Sequence, residues 1–164
     1  MHIFFAGDHA GFEMKGKLIE FVRSLGHEVE DLGPLAPVAG DDYPDYVIPL
    51  AKKVAAAQRS NLESGKRFDL GETRGIVVAG SGQGEIIALN RVRGARAALF
   101  CPCNLDLIKA SRDHNDSNIF AIGARFCTLE QAKEAVKLWL ETPFSNEERH
   151  VRRLAKIEAA DYSS

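Results

Sequence analysis

The sequence predicts a doubly wound α/β fold, in which five parallel strands form one sheet with helices on both faces. Short apolar segments alternate along the chain with longer segments that carry apolar residues at helical spacing. Alternating strands and helices imply parallel strands joined by right-handed crossovers, and such crossovers place helices on both faces of the sheet. The length of 164 residues fits a single domain spanning 1–164.

Five segments have the length and apolar content of strands: HIFFAG at 2–7, EVEDLG at 28–33, GIVVA at 75–79, ARAALF at 95–100 and NIFAIG at 118–123. We expect a Rossmann-like sheet with the flavodoxin-like strand order, in which the first and third strands are neighbours.

Six segments are predicted to be helices: 11–25, 43–58, 85–92, 104–112, 129–142 and 146–159. In the first of them, Met14, Leu18, Val22 and Leu25 recur at the spacing of one helical face. The stretch 58–74 is long and polar for a loop in such a fold, so we expect a surface excursion there.

Composition narrows the class of protein. A net charge of −2 gives no basic field, which argues against nucleic acid and anionic membranes as partners. No apolar run approaches the roughly 20 residues that span a bilayer, and the N-terminus lacks a signal-peptide pattern. Cys101, Cys103 and Cys127 form neither a disulfide framework nor a zinc-ligand spacing. We therefore expect a cytoplasmic protein without a metal.

The segment VVAGSGQGE, at 77–85, leads from the third strand into a glycine-rich turn, a serine and a single carboxylate. Ligands in such sheets bind beyond the carboxyl ends of the strands. Gly80, Gly82 and Gly84 permit positive φ, and a turn that opens a helix points free N–H groups at an anion or a developing oxyanion. The GxGxG spacing after the third strand does not match the dinucleotide fingerprint.

Glu85 has two interpretations from the residues alone. It is either an acid that complements a helix dipole or part of a proton-transfer site. Asp8 and His9 end the first strand and are expected to lie beside the glycine turn, with Ser81 within it. An Asp-His pair at a strand end is equally compatible with a local cap.

Basic residues near the C-terminus are candidates for phosphate binding. Arg149 and Arg153 lie four residues apart on one predicted helical face, without an acid at i±3 or i±4 on that helix. They form either a solvated basic face, an ion pair with another element, or a phosphate clamp that Arg125 could join.

His114 and Asn115 precede the fifth strand, at the amino end of the sheet and away from the turn. They either end a helix or contribute to the site of a neighbouring subunit, which a symmetric dimer would permit.

Five motifs occur in order along nearly the whole chain: GDHAGFEMK, DDYP, GSGQGE followed by ALNRVRGARAAL, DHNDSNIFAIGAR and TPFSNEERHVRR. Together they resemble type B ribose-5-phosphate isomerases, the family that also contains galactose-6-phosphate isomerase subunits. The resemblance implies reversible conversion of an aldose phosphate into a ketose phosphate, most directly ribose 5-phosphate into ribulose 5-phosphate, without metal or nucleotide cofactor. It also implies a homodimer or tetramer with shared sites, and a C-terminal helix, about 146–159, that contacts a partner subunit.

The same resemblance implies a role for each candidate residue. Glu85 would move the proton through a cis-enediolate, and His114 of the partner subunit would open the sugar ring with help from Asp8. The remaining roles are an oxyanion site from Ser81, Gly80, Gly82 and Gly84, a phosphate site from His9, Arg125, Arg149 and Arg153, and a contact of Asn115 with a sugar hydroxyl. The helix N-terminus would lower the pKa of Glu85, and we expect desolvation by bound substrate to offset this.

Two departures leave alternatives open. Many members of the family carry a cysteine base where this chain has Ala79, whereas Glu85 matches a second branch that is similar to the mycobacterial enzymes. The excursion at 58–74 is also longer than is usual in the family. The alternatives are an isomerase of allose, galactose or erythrose phosphate, a non-catalytic phosphosugar-binding subunit, and a nucleotide- or flavin-binding module.

Overall fold

The computed structural model describes residues 1–63, 73–102 and 104–160. It contains five strands, β1 His2–Gly7, β2 Glu28–Asp31, β3 Thr73–Ala79, β4 Ala97–Leu99 and β5 Ile119–Gly123. Its helices are α1 Phe12–Ser24, α2 Pro44–Glu63, α3 Gln83–Leu89, α4 Asp106–Asp113, α5 Leu129–Glu141 and α6 Glu148–Glu158. Most of the predicted excursion at 58–74, and Cys103, lie outside the described residues; the part at 58–63 continues α2.

All strand pairs are parallel, and the strand order is β2-β1-β3-β5-β4. This confirms the doubly wound α/β class with helices on both faces and the neighbouring positions of β1 and β3. The flavodoxin-like order was wrong in its outer half, because β5 lies between β3 and β4. The apolar residues of β5 are buried throughout, as a central strand requires, whereas β4 is short and half-buried at the edge.

The core lies in two layers, one on each face of the sheet. The layer beneath α1, α4 and α5 contains Phe5, Val78, Ile122, Val136 and Trp139, and the layer beneath α2 and α3 contains Ala6, Val54, Val77, Leu89 and Ala121. Successive residues of β1, β3 and β5 thus alternate between the layers, as the pleat of a strand dictates. Burial on both faces fixes the register, so the strand ends that carry polar residues are held in place.

The C-terminal helix α6 is tied to the body of the chain through Glu158. Arg96 Nη1 donates to Glu158 Oε1 at 3.0 Å, and Arg93 Nη2 donates to the Glu158 carbonyl oxygen at 2.9 Å. Leu154 and His150 are buried on the inner face of α6. In the described parts of the chain, every helix is too short or too polar to cross a bilayer.

Candidate active site

The carboxyl ends of β1, β3 and β5 bring together most of the predicted site residues. Gly7 pairs with Val78 and Ala79 pairs with Gly123, so the segments that follow these strands emerge side by side. The Arg125 amide N–H donates to the Gly80 carbonyl oxygen at 3.2 Å, which joins the turn after β5 to the glycine turn after β3. The predicted proximity of the strand ends is thereby confirmed.

Asp8 is a buried carboxylate that holds the two turns in register. Its Oδ1 accepts from the Gly11 N–H at 2.8 Å, and its Oδ2 accepts from the Gly80 N–H at 3.4 Å. The N–H of Gly80 is therefore directed at Asp8, which corrects the expectation that it faces a ligand oxygen. Asp8 couples the start of α1 to the glycine turn.

The glycine turn depends on two different properties of glycine. All three glycines permit a positive φ, but of the three only Gly82 adopts one, 78°, whereas Gly80 and Gly84 lie outside the left-handed region. At Gly84 the reason is space, because a Cβ there would lie 2.6 Å from the Tyr43 hydroxyl oxygen. A side chain at Gly82 would be strained by the positive φ, and one at Gly84 would have to displace the Tyr43 ring.

Several backbone N–H groups of this turn are unpaired within the described residues. Ser81 is exposed and its Oγ accepts from the Gln83 N–H at 3.3 Å. Within the described residues, the N–H groups of Ser81, Gly82 and Gly84 have no hydrogen-bond acceptor. N–H groups at the start of a helix are suited to an oxyanion.

Glu85 is a buried carboxyl group in the first turn of α3, with only 4% of its surface exposed. Burial raises the pKa of Glu85, a hydrogen bond from its own backbone N–H lowers it, and the negative charge of Asp8 raises it. The expectation that bound substrate must offset the helix dipole is therefore unnecessary, since burial by the protein itself outweighs the backbone N–H. A carboxylate with a raised pKa is a stronger base.

His9 has a partner that the sequence reasoning missed. Its Nδ1 lies 2.6 Å from Oδ1 of Asp41, and its backbone N–H donates to the same oxygen at 3.2 Å. Asp41 belongs to the DDYP motif, which was recognised without a role for its first residue. The contact spans 32 positions, so no local spacing could have revealed it.

The predicted phosphate-binding arginines lie in different surroundings. Arg125 is exposed, and its guanidinium carbon is 3.4 Å from the position that a Cβ on Gly80 would occupy, so it lies against the glycine turn. Arg149 Nε is 2.7 Å from Glu147 Oε2, an ion pair with a residue outside α6, which is one of the alternatives that the sequence left open. Arg153 is exposed and makes no ion pair within the described residues.

His114 and Asn115 are exposed at the opposite edge of the sheet. They follow α4 and precede β5, whose five residues span about 13 Å between the two edges. The His114 ring lies 4.6 Å from the ring of His150, and its Nε2 is 3.2 Å from Asp113 Oδ2. Within one chain, the structure does not bring His114 to Glu85.

Comparison with known proteins places the chain in a family. The family model described as Ribose/Galactose Isomerase matches residues 3–157. The chain belongs to the Ribose/Galactose Isomerase family. It is similar to ribose-5-phosphate isomerase B of Mycobacterium tuberculosis strain H37Rv, at 38% identity over 154 residues that cover 94% of this chain and 86% of the relative.

Solved structures of the Ribose/Galactose Isomerase family share the fold. Ribose-5-phosphate isomerase B of Clostridium thermocellum superposes with a TM-score of 0.82 at 35% identity, covering 96% of this chain and 95% of that one. The enzyme of Mycoplasma genitalium with bound ribulose 5-phosphate also gives a TM-score of 0.82, at 32% identity, covering 96% and 93%.

The last residue of β3 bears on which group could act as a base. Ala79 is fully buried at the position where the motif resemblance places a cysteine in many members. Its methyl group has no ionisable atom, so Ala79 cannot transfer a proton. Among the described residues, no three His, Cys, Asp or Glu side chains are grouped so that they could hold a metal ion.

Proposed function

We propose that this chain catalyses the reversible isomerisation of ribose 5-phosphate and ribulose 5-phosphate, with Glu85 as the base. The observation that carries the proposal is the buried carboxyl group of Glu85, whose pKa is raised by burial, in the first turn of α3 directly after the glycine turn. The relative named ribose-5-phosphate isomerase B and the Mycoplasma genitalium complex with ribulose 5-phosphate support this substrate.

Glu85 moves a proton between adjacent carbon atoms. Its carboxylate takes the proton from C2 of the open-chain aldose, the C–H electrons form a C1–C2 double bond, and the carbonyl electrons move onto O1. Glu85 then returns the proton to C1, while a proton passes from the O2 hydroxyl to O1. One hydrogen moves from C2 to C1 and one from O2 to O1, so no oxidant or reductant is needed.

The enediolate oxygen is held by the glycine turn. A carbon next to a carbonyl is a much weaker acid than a carboxyl group, so the base requires help from stabilisation of the charge on O1. The Ser81 hydroxyl and the N–H groups of Ser81, Gly82 and Gly84 are suited to this role, since they have no other acceptor within the described residues. Gly80 contributes through its contact with Asp8.

The phosphate and the sugar ring are bound at the periphery of the site. His9, Arg125, Arg149 and Arg153 hold the phosphate through charge-assisted hydrogen bonds. His114 of the partner subunit opens the ring with Asp8, and Asn115 binds a sugar hydroxyl. These side chains come from both edges of the sheet, so the site requires two chains arranged as a homodimer or as a tetramer of such dimers.

Arg149 gives this assembly a specific requirement. In one chain its guanidinium is paired with Glu147, which precedes α6. A phosphate that binds Arg149 must either replace the Glu147 carboxylate or share the Arg149 guanidinium with it. The C-terminal helix α6 therefore adjusts its ion pairs when it meets the site of a partner subunit.

Two alternatives have an observation in their favour. The family includes galactose as well as ribose in its description, which keeps another sugar phosphate open as the substrate. The buried Ala79 favours a non-catalytic subunit, because it removes the cysteine that many members use.

An isomerase assay of the purified chain alone, with ribose, allose, galactose and erythrose phosphates, separates these possibilities. We expect turnover of ribose 5-phosphate to exceed that of the others. Faster turnover of another phosphosugar would mean that this sugar, and not ribose 5-phosphate, is the substrate. Absence of turnover with all four would favour the non-catalytic subunit.

A further inference from the structure

Asp41 is a buried acid whose contacts within the chain converge on His9. Its side chain is 2% exposed, whereas that of His9 is 41% exposed. Its Oδ1 receives both the backbone N–H of His9, at 3.2 Å, and the ring Nδ1, at 2.6 Å. Two contacts from one residue fix both the backbone and the ring orientation of His9.

The hydrogen-bonding chemistry determines which ring nitrogen carries a proton. An ionised carboxylate only accepts hydrogen bonds, so Nδ1 of His9 must donate to Asp41. Nε2 is then the ring nitrogen that remains to meet a ligand, on the exposed side of the ring. The second nitrogen of a histidine is commonly fixed in this way by the partner of the first.

Beyond the two contacts of His9 with Oδ1, the described residues around Asp41 offer its second carboxylate oxygen no hydrogen bond. This oxygen, Oδ2, is buried. A buried carboxylate is costly unless it is paired with a cation or receives hydrogen bonds. Among the described residues, the imidazole of His9 is the side chain paired with Asp41, and it can carry a positive charge once Nε2 is also protonated.

We propose that Asp41 is a positioning residue for phosphate binding, and that it acts through His9. The Asp41 carboxylate holds the ring with Nδ1–H directed toward it, so that Nε2 faces the phosphate of the substrate. When the anion binds, Nε2 takes a proton from solvent and donates to a phosphate oxygen, and Asp41 stabilises the resulting imidazolium. This inference rests on the proposed function for the identity of the anion.

The loop that carries Asp41 is also anchored independently of His9. Lys15 Nζ donates to Asp31 at 2.7 Å and to the Pro34 carbonyl oxygen at 2.8 Å, at the beginning of the same loop. Substitution of Asp41 therefore leaves this anchor in place. Variants of Asp41 are expected to fold, which can be checked by thermal unfolding.

The first measurement is NMR of the imidazole nitrogens of the intact protein, with His9 assigned from its missing signals in His9→Gln. We expect Nδ1 of His9 to be protonated in the free wild-type protein, and Nε2 to become protonated as inorganic phosphate is added. Asp41→Ala is expected to lose the Nδ1–H state, and the control Asp42→Asn to keep it. An unprotonated Nδ1 in the wild-type protein would overturn the inference.

The second measurement is a double-mutant cycle on inhibition by inorganic phosphate. We expect Asp41→Ala, His9→Gln and the double variant each to weaken phosphate binding by about tenfold, because Asp41 acts only through His9. Asp42→Asn is the matched control for loss of one negative charge. Additive losses in the double variant, or unchanged binding in Asp41→Ala, would contradict the proposal.

The two proposals fail separately. If the purified chain isomerises none of the phosphosugars but shows the expected His9 states with phosphate, the isomerase proposal fails and the role of Asp41 stands. If the chain is active and Asp41→Ala binds phosphate normally, the role of Asp41 fails and the isomerase proposal stands.

Discussion

Burial raises the pKa of Glu85, and the negative charge of the neighbouring Asp8 raises it further. The two carboxyl groups have different surroundings at the same edge of the sheet. Asp8 is held by the N–H groups of Gly11 and Gly80, which ties it to the turns, whereas the hydrogen bond that Glu85 receives within the described residues comes from its own backbone N–H. We therefore propose that Glu85 transfers the C2 proton, and that Asp8 also maintains the geometry of the turns around it.

The raised pKa of Glu85 predicts a pH-dependent effect on stability. The folded state holds the Glu85 proton more tightly than the unfolded state. The protonated carboxyl group therefore stabilises the fold fully below the ordinary glutamate pKa of 4.5, and this stabilisation is lost as the pH rises through the pKa of Glu85 in the folded state. Glu85→Gln, which does not ionise, should therefore gain thermal stability relative to wild type as the pH rises from about 4 to about 8.

The control for this experiment is Glu134→Gln, which makes the same change at an exposed position on α5. Thermal unfolding by circular dichroism at the two pH values is the measurement. If the difference in melting temperature between Glu85→Gln and wild type stays constant with pH, burial does not raise the pKa of Glu85.

Gly123 is predicted to be intolerant of a side chain. A Cβ at this position would lie 2.6 Å from the carbonyl oxygen of Ser81, which belongs to the backbone of the glycine turn. Gly123→Ala should destabilise the fold by about 1–3 kcal/mol and reduce turnover, because the turn must move. Gly16→Ala on α1 is the control, since nothing lies within 4 Å of its Cβ, and it should stabilise by about 0.5–1 kcal/mol. Stability is measured by urea unfolding. Equal free energies of unfolding for Gly123→Ala and Gly16→Ala would refute the predicted clash with the Ser81 carbonyl oxygen.

Substitution of the two arginines of the proposed phosphate site should weaken substrate binding, whereas substitution of a third arginine on the same helix should not. Arg149→Ala and Arg153→Ala are each expected to raise the KM for the phosphosugar by about tenfold, because a charge-assisted hydrogen bond is lost. Arg152→Ala is the control, since Arg152 is an exposed residue of α6 near Glu148. Steady-state kinetics of the three variants is the measurement. Similar KM values for all three would leave Arg149 and Arg153 as surface charges.

Shared sites can be tested by mixing two inactive variants. In the proposed homodimer, His114→Asn and Glu85→Gln are each expected to disable both sites. In a mixed dimer, one of the two sites combines the intact Glu85 with the intact His114. Random exchange of subunits should therefore restore about a quarter of the wild-type activity. No recovery after verified exchange would mean that His114 and Glu85 do not act in the same site.

The sequence predicted the architecture well because hydrophobic patterning is local. The boundaries of β1 match the prediction at both ends, and those of β5 and α5 match to within one residue. The position of each strand in the sheet was harder to predict, because it depends on long-range packing. The unbroken apolar run of β5, compared with the Arg96 that precedes β4, was the available signal for the correct order.

The site was predictable where residues follow the strands directly. Asp8 and the glycine turn meet as expected because the parallel register aligns the ends of β1 and β3. The Arg149–Glu147 pair was not identified from the sequence because Glu147 precedes the helix and has extended backbone angles, so helical spacing does not apply to it. The contact between His9 and Asp41 depends on the path of a long loop, which no local pattern specifies.

The central claim is tested most directly by the isomerase activity of Glu85→Gln on ribose 5-phosphate, with Glu134→Gln as the control. The amide keeps the shape of the side chain and cannot accept the C2 proton. We expect turnover to fall by about a hundredfold or more while the phosphosugar still binds, and Glu134→Gln to match wild type. Turnover within a few fold of wild type in Glu85→Gln would contradict the assignment of Glu85 as the base.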